Sequence, residues 1–152
     1  MATEETTMFK TILIPTDGSE LSGRAIRQGV DLAKGLGATV VGLTVTMPFR
    51  VFALEPTMVT DTAEKYEHDI RAFAKKNLSI VEAAAKQAGV PCRILTCSGE
   101  HPYEEIIKAA EEDKCDAICM ASHGRRGVSA LVLGSETVKV LTHSRIPVVV
   151  VR

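Results

Sequence analysis

Short, uniformly apolar runs alternate along the chain with longer stretches in which apolar residues recur every three or four positions. Short apolar runs are typical of buried β-strands, and the three-to-four spacing is typical of amphipathic helices. The pattern predicts five strands, in the segments KTILIPT (10–16), ATVVGLTVT (38–46), GVPCRILTC (89–97), DAICMAS (116–122) and IPVVVVR (146–152).

Helical spacing fills the intervals between the predicted strands. The first helix follows Ser19, a favourable N-cap residue, and is predicted to end at Gly35 and Gly37. The second helix runs from about 62 to 88, and Asn77 is the one polar residue in its apolar stripe.

Two shorter helices complete the pattern. One begins at Pro102, whose fixed φ suits a first helical turn, and the other runs from about 135 to 143. The segment 47–61 contains two prolines and has no clear period, so it is predicted to be an irregular connection.

The order of the elements predicts the fold class. Strands that alternate with helices and are apolar throughout indicate a parallel sheet with helices on both faces. Right-handed crossovers with one reversal of winding then give a three-layer α/β/α fold, with five parallel strands in the order 3-2-1-4-5. No internal repeat, low-complexity stretch or linker divides the sequence, so we expect residues 1–152 to form a single domain.

Composition and charge exclude several kinds of partner. Of the 152 residues, 45% are apolar and 24% are charged, as in an ordinary globular protein, and the formal net charge is −1. No block of like charge indicates a nucleic-acid partner or a membrane surface. No apolar run approaches the length of a membrane span, and the segment MATEETTMFK lacks the apolar centre of a signal peptide. We therefore expect a cytoplasmic protein without nucleic-acid or membrane partners.

The sequence has no C-x-x-C pair among its four cysteines, which are Cys92, Cys97, Cys115 and Cys119. The spacings of common zinc sites and of thioredoxin-like redox pairs are therefore missing. Each cysteine lies in or beside a predicted apolar strand, where a thiol packs as a small hydrophobic group. We expect free thiols in the core in place of a disulfide or a metal site.

The segment MASHGRRGVSALVLGSETVK (120–139) joins the fourth strand to the last helix and contains three glycines. Open parallel sheets bind ligands beyond the carboxyl ends of their strands, and this segment leaves a strand at such an end. It lacks the lysine of a Walker A loop and the G-x-G-x-x-G pattern of dinucleotide sites. Its composition fits either a phosphate-binding loop or a flexible glycine-rich turn.

Gly134 and Ser135 stand at the start of the last predicted helix. The amides of Ser135, Glu136 and Thr137 would then point away from the helix, with its positive end behind them, which suits an anion. Ser135 can cap this helix or donate its hydroxyl to a phosphate oxygen.

The residues between the fourth strand and the last helix also suit a phosphate. Gly124 and Gly127 would let the backbone approach a ligand closely, and Arg125 and Arg126 would add positive charge. His123 either donates a hydrogen bond to a phosphate or faces solvent. The alternative interpretation is a glycine-rich turn with solvated arginines.

This segment resembles the nucleotide loop of the universal stress protein family, whose ATP-binding members carry the pattern G-x2-G-x9-G-[ST]. Gly124 matches the second glycine, and Gly134 and Ser135 close the pattern after nine residues. Ala121 stands in place of the first glycine, in MASHG where ATP-binding members have MGSHG or similar. The resemblance covers nearly the whole chain, and it is carried by the segments ILIPTDGSELS, GLTVT and LGSETVKVLTHSRIPVVVVR.

The resemblance implies a Rossmann-like fold of the adenine nucleotide alpha hydrolase type. It also implies ATP as the ligand, with Mg²⁺ carried by the phosphates and water. Asp17 would then meet the adenine or ribose, beside Pro15 and Thr16. Val45 would pack on the adenine, which needs an apolar face with a few polar groups. Without the resemblance, Asp17 fits an Asx-turn in TDGS and Val45 fits ordinary core.

Three functions remain open at this stage. The resemblance favours a regulatory or stress-response protein that binds ATP and hydrolyses it slowly at most. A second function is an ATPase or nucleotidyl transferase, for which Glu136 is a weak candidate general base. A third is a dimeric interaction module without nucleotide, which the departure at Ala121 leaves open. A negative φ at Ala121 would only tighten the ligand contact, whereas a positive φ would strain the backbone.

The last predicted strand is apolar on both faces, although the predicted order places it at an edge of the sheet. An exposed apolar edge promotes aggregation unless it is covered or paired. A second copy can pair with it across a two-fold axis, and the resemblance implies the same arrangement. We therefore expect a homodimer with Val148–Val151 at its centre.

Overall fold

Residues 8–49, 62–124 and 132–152 are described in the computed structural model of the chain. Within these ranges five strands alternate with four helices: β1 (Thr11–Pro15), α1 (Glu20–Leu36), β2 (Thr39–Thr46), α2 (Ala63–Ala88), β3 (Cys92–Ser98), α3 (Pro102–Glu112), β4 (Ala117–Ala121), α4 (Ser135–His143) and β5 (Val148–Val151). Every predicted strand and helix is present. Most of the predicted irregular connection, residues 50–61, lies outside the described residues. No helix in the described part of the chain is long and apolar enough to cross a membrane.

The strands form one parallel sheet in the order β3-β2-β1-β4-β5, which confirms the predicted topology. β1 is the central strand, with Ile12 opposite Val40 of β2 on one side and opposite Ala117 of β4 on the other. The winding reverses between β1 and β4, so a crevice opens beyond the carboxyl ends of these two strands.

Alternate side chains of β1 point to opposite faces of the sheet and enter two separate cores. Ile12 is fully buried in the core on the side of α1 and α2, together with Ile26. Leu13 is fully buried in the core on the side of α3 and α4, together with Ile106 and Val140. The sheet is therefore covered on both faces, which explains why its central strands are apolar throughout and confirms the three-layer α/β/α, Rossmann-like prediction.

The ends of α1 are fixed by a side chain at one end and a glycine at the other. Ser19 is the N-cap, as predicted, and its Oγ accepts a hydrogen bond from Ser22 N at 3.2 Å. Gly37 ends the helix with φ of 67°, a left-handed conformation that glycine adopts without strain. The prediction that Gly35 also stops the helix is wrong, because the helix continues through it to Leu36.

A carboxylate fastens the start of β1 to the start of β4. Asp116, immediately before β4, accepts hydrogen bonds from the backbone N–H of Lys10 at 2.8 Å and of Thr11 at 3.0 Å. Asp116 and Thr11 are 105 positions apart, so this contact forms only after the two halves of the sheet have met.

All four cysteines are free. Cys115 and Cys119 are buried, and burial raises the pKa of each thiol to about 11. Such thiols stay protonated and unreactive near neutral pH. Cys92 and Cys97 lie on the edge strand β3, where they are half-buried and pack against the two cores, so core packing is confirmed for all four thiols.

Candidate functional site

The crevice lies between the β1–α1 turn and the segment that leaves β4. Asp17 is the second residue after β1, and Gly124 is the third residue after β4. A Cβ built on Gly124 would lie 2.6 Å from Asp17 Oδ2, so a side chain at position 124 would collide with the carboxylate. The structure therefore brings Asp17 and Gly124 together, as the predicted strand order requires.

The β1–α1 turn is held by its own side chains. Asp17 Oδ1 accepts a hydrogen bond from Ser19 N at 2.9 Å, which is the Asx-turn expected for TDGS. Thr16 is buried, and its Oγ1 lies 3.0 Å from Ser22 Oγ. One carboxylate oxygen of Asp17 thus shapes the turn, and the other lies beside Gly124.

Ala121 ends β4 in ordinary strand geometry. Lys114 is the only described residue other than glycine with a positive φ, so φ of Ala121 is negative. Ala121 is 7% exposed, and its methyl group belongs to the core on the side of α1 and α2. An alanine at this position of the glycine motif therefore does not strain the backbone.

Ser122 and His123 form a local pair at the exit of β4. Ser122 Oγ lies 3.0 Å from His123 Nδ1, and Ser122 is buried. The other ring nitrogen, His123 Nε2, is also buried and has no hydrogen-bond partner among the described residues. A buried polar atom without a partner is unusual in a folded protein, and a ligand or water often completes such a contact.

Helix α4 begins without a side-chain cap. Gly134 occupies the N-cap position with φ of −61° and ψ of 150°, and its N–H donates to Ser122 O at 2.7 Å. The expectation that Ser135 can cap the helix is wrong, because Ser135 is already the first helical residue. The amides of Ser135, Glu136 and Thr137 have no acceptor within the described ranges, and the positive end of the helix lies behind them.

The side chains of Glu136 and Thr137 are used within the protein. Thr137 Oγ1 donates to Ala121 O at 2.9 Å, which fixes the first turn of α4 on the end of β4. Glu136 Oε2 accepts a hydrogen bond from Tyr103 N at 2.9 Å, and its Oε1 lies 3.3 Å from Lys139 Nζ. Glu136 is therefore not a free general base. Tyr103 was missed in the sequence, since no pattern links a helix start to a carboxylate 33 positions later.

The remaining candidate residues are distributed around the crevice. Pro15 and Val45 are half-buried near the carboxyl ends of β1 and β2. Val45 packs against the core on the side of α3 and α4, as an ordinary core residue does. Arg125, Arg126 and Gly127 lie outside the described residues. Within residues 8–49, 62–124 and 132–152, no three His, Cys, Asp or Glu side chains are grouped so that they could hold a metal ion.

Comparisons with known sequences identify relatives over the whole described chain. A model of the universal stress protein family matches residues 8–152. The chain is 34% identical over 149 residues to universal stress protein YxiE of Bacillus subtilis, which covers 95% of this chain and 100% of that protein. It is 31% identical over 157 residues to universal stress protein MJ0577 of Methanocaldococcus jannaschii, which covers 95% of this chain and 96% of that protein.

Solved structures show the same architecture. The structure of MJ0577 superposes with a TM-score of 0.79 at 28% identity, over 95% of this chain and 96% of that one. A universal stress protein of Archaeoglobus fulgidus in complex with dAMP superposes with a TM-score of 0.68 at 19% identity, over 95% and 99% of the two chains. The family match includes every strand and helix described above. The chain belongs to the universal stress protein family.

Proposed function

We propose that the chain is a regulatory, stress-response protein that binds an adenine nucleotide, ATP, in the crevice between β1 and β4. The observation that carries this proposal is the uncapped start of α4, where three consecutive amides have no acceptor among the described residues. Such a helix start binds phosphate because its amides donate hydrogen bonds and its dipole favours negative charge. The phosphates would contact the amides of Ser135, Glu136 and Thr137, and the Ser135 hydroxyl would donate to one phosphate oxygen.

The nucleoside would lie on the other side of the crevice, against β1 and β2. Asp17 Oδ2, beside Gly124, would accept a hydrogen bond from the adenine or ribose. Pro15 and Thr16 would line the wall, and Val45 would pack on the base. The Archaeoglobus relative binds dAMP, and membership of the same family supports the same class of ligand here.

The segment after β4 would close around the phosphates. His123 Nδ1 can accept from Ser122 Oγ, which leaves the proton on Nε2 for a phosphate oxygen. Arg125 and Arg126 would add positive charge, and Gly127 would let the backbone approach, as the family resemblance implies. Mg²⁺ would arrive with the triphosphate and be held by phosphate oxygens and water.

We propose binding with slow hydrolysis at most. An efficient ATPase or nucleotidyl transferase needs a general base within reach of the attacking group. Glu136, the candidate for that role, is bonded to Tyr103 N and lies beside Lys139 Nζ. The proposed output of the protein is therefore a change in its surface on nucleotide binding.

Calorimetric titration with ATP, in the presence of Mg²⁺, tests this proposal directly. We expect a dissociation constant in the micromolar range for ATP and weaker binding of adenosine, which lacks the phosphates. Nucleotide released by acid from the purified protein and separated by chromatography would identify the ligand it carries. No binding of ATP, ADP or AMP, together with protein free of nucleotide, would overturn the proposal and favour the interaction module.

We also propose that the chain forms a homodimer through β5. This strand is at the edge of the sheet and has no second partner strand among the described residues. Val149 of β5 is 38% exposed, and Val138 and Leu141 of the neighbouring α4 are 44% and 42% exposed. A second copy would cover these side chains by antiparallel pairing of β5 across a two-fold axis.

Light scattering on two matched variants tests the dimer. Val149→Lys places a charge at the centre of the proposed interface and should produce monomers. Ile94→Lys is the control, because Ile94 is 39% exposed on β3, the opposite edge of the sheet. A wild-type monomer at high concentration, or dissociation by the control variant alone, would contradict the proposed interface.

A further inference from the structure

The start of α3 takes its cap from α4. His101 occupies the N-cap position but makes no side-chain cap hydrogen bond, and Pro102, the first helical residue, has no N–H. The first amide donor of the helix is therefore Tyr103 N, which donates to Glu136 Oε2 at 2.9 Å. A carboxylate is favourable there, because it accepts the amide hydrogen bond and lies at the positive end of α3.

Three residues of α4 surround Tyr103. Glu136 accepts from its amide, and Lys139 Nζ lies 5.5 Å from the centre of its ring. The centre of the His143 ring lies 5.1 Å from the same ring. Positions 136, 139 and 143 share one face of a helix, since they are three and four residues apart. Three contacts from α4 therefore converge on one tyrosine of α3.

The first turn of α4 is fastened on its other side to the end of β4. Gly134 N donates to Ser122 O at 2.7 Å, and Thr137 Oγ1 donates to Ala121 O at 2.9 Å. This turn is thus held between β4 and α3, and Glu136 supplies the hydrogen bond on the α3 side. The direction of the uncapped amides depends on both attachments.

We propose that Glu136 is a positioning residue of the nucleotide site, which holds the phosphate-binding amides in place by bonding α4 to the start of α3. This inference rests on the proposed function, and it assigns the Glu136 side chain neither a ligand contact nor a role as a base. Lys139 and the positive end of α3 offset its charge, so a carboxylate is tolerated close to a bound phosphate.

The binding of ATP and adenosine by two Glu136 variants distinguishes the positioning role of Glu136 from the effect of its charge. Glu136→Ala removes the cap and the charge, whereas Glu136→Gln removes the charge and keeps an oxygen that accepts from Tyr103 N. We expect Glu136→Ala to weaken ATP binding about tenfold and Glu136→Gln to stay within about twofold of the wild type. Adenosine binding should be unchanged in both, because adenosine does not reach the start of α4.

Two results would overturn the positioning role. Equal tightening of ATP binding in both variants would show that Glu136 acts only by charge repulsion. Equal weakening in both would assign the effect to the charge and not to the cap. Lys139→Met is the matched control, since it removes the ion pair with Glu136 and leaves the hydrogen bond to Tyr103 N. Amide hydrogen exchange of Tyr103 should stay at the wild-type rate in this variant, because the cap is kept, and faster exchange would count against the role of the cap.

Amide hydrogen exchange without nucleotide separates this inference from the proposed function. Glu136→Ala should speed exchange of the amides of Tyr103 and Val138, the latter of which donates to Gly134 O, and Glu136→Gln should not. Both variants should fold, because the Glu136 side chain is 37% exposed. If the wild type binds no ATP, the proposed function fails. Amide hydrogen exchange then still decides whether Glu136 holds the first turn of α4 in place. Unchanged exchange in Glu136→Ala would overturn the inference whatever the protein binds.

Discussion

The starts of α1 and α4 lie at the same edge of the sheet, each just beyond a strand that borders the crevice, and they differ in how they are capped. At α1, Ser19 Oγ accepts from Ser22 N at 3.2 Å and Asp17 Oδ1 accepts from Ser19 N at 2.9 Å. At α4, the N-cap residue is Gly134, and no side-chain oxygen of the described residues caps the first amides. A side chain thus caps one of the first amides of α1, whereas none of the described side chains caps an amide of α4.

The two helix starts also differ in the negative charge that lies around them. Asp17 and Glu20 place two carboxylates at the start of α1, where they already interact favourably with the positive end of the helix. The carboxylate in the first turn of α4, Glu136, is instead bonded to α3 and lies beside Lys139. The proposed phosphate would therefore meet less negative charge at α4 than at α1.

The largest effect is expected when the start of α4 is displaced by Gly134→Val. A Cβ at position 134 would lie 3.2 Å from Ser122 O and from His123 Cα, which are backbone atoms and cannot rotate away. The start of α4 must then move by a few tenths of an ångström relative to the end of β4, which would displace its amides from the proposed phosphate position. We expect ATP affinity, measured by calorimetry, to fall at least 100-fold, about 2.8 kcal/mol.

Gly35→Val is the matched control for this variant. A Cβ at position 35, in the last turn of α1, would have no heavy atom within 4 Å outside its own helix backbone. ATP affinity should therefore stay within about twofold of the wild type, since no contact near the crevice changes. Unchanged affinity in Gly134→Val would refute the role of α4 in phosphate binding.

A smaller loss of affinity is expected for Ser135→Ala. The variant keeps the amide of residue 135 and loses the hydroxyl proposed to bond a phosphate oxygen. We expect ATP binding to weaken about fivefold, which corresponds to about 1 kcal/mol for one hydrogen bond. The free energy of unfolding, from urea titration, should not change, because the Ser135 side chain caps no helix. A lower free energy of unfolding with unchanged ATP affinity would show that the Ser135 hydroxyl stabilises the fold and does not bind phosphate.

Ser19→Ala makes the corresponding change at α1 and should give the converse result. It removes the oxygen that accepts from Ser22 N, and the loss of an N-cap lowers the free energy of unfolding by about 1 kcal/mol. ATP affinity should be unchanged, since Ser19 N still donates to Asp17. If Ser19→Ala weakened ATP binding as much as Ser135→Ala, the two helix starts would not differ in function.

The smallest effect on binding is expected for Ala121→Gly. The methyl group of Ala121 is buried in the core on the α1 side, and φ of the residue is negative. Removing it should leave ATP affinity within about twofold and lower the free energy of unfolding by about 0.5–1 kcal/mol, as glycine does in a strand. A tenfold gain in affinity would instead show that the methyl group crowds the ligand.

The fold was predictable because burial on both faces of the sheet is recorded directly in the apolar runs of β1, β2 and β4. The residue at which α1 ends could not be predicted, because Gly35 and Gly37 both suit a helix end. The helix ends at the glycine whose amide reaches the last carbonyls of the helix, and that is Gly37, whose N–H donates a hydrogen bond to Lys34 O.

The site was predictable where it depends on strand order and not where it depends on tertiary contacts. Asp17 and Gly124 follow adjacent parallel strands, so their proximity follows from the topology. Serine is generally a better cap than glycine, yet position 134 suits glycine because a Cβ there would lie 3.2 Å from the backbone atoms Ser122 O and His123 Cα. The hydrogen bond between Glu136 and Tyr103 likewise could not be predicted, because it depends on how α3 and α4 pack.

The contacts of Asp116 with Lys10 and Thr11 constrain the order in which the sheet forms during synthesis. The units from β1 to β3 can assemble early, but one edge of β1 stays unpaired until β4 arrives. Closing a loop of 105 positions costs more entropy than closing the short β1–α1–β2 unit, and such distant pairing slows folding. The crevice therefore forms late, and a ligand that needs both of its walls binds only a chain whose sheet is complete.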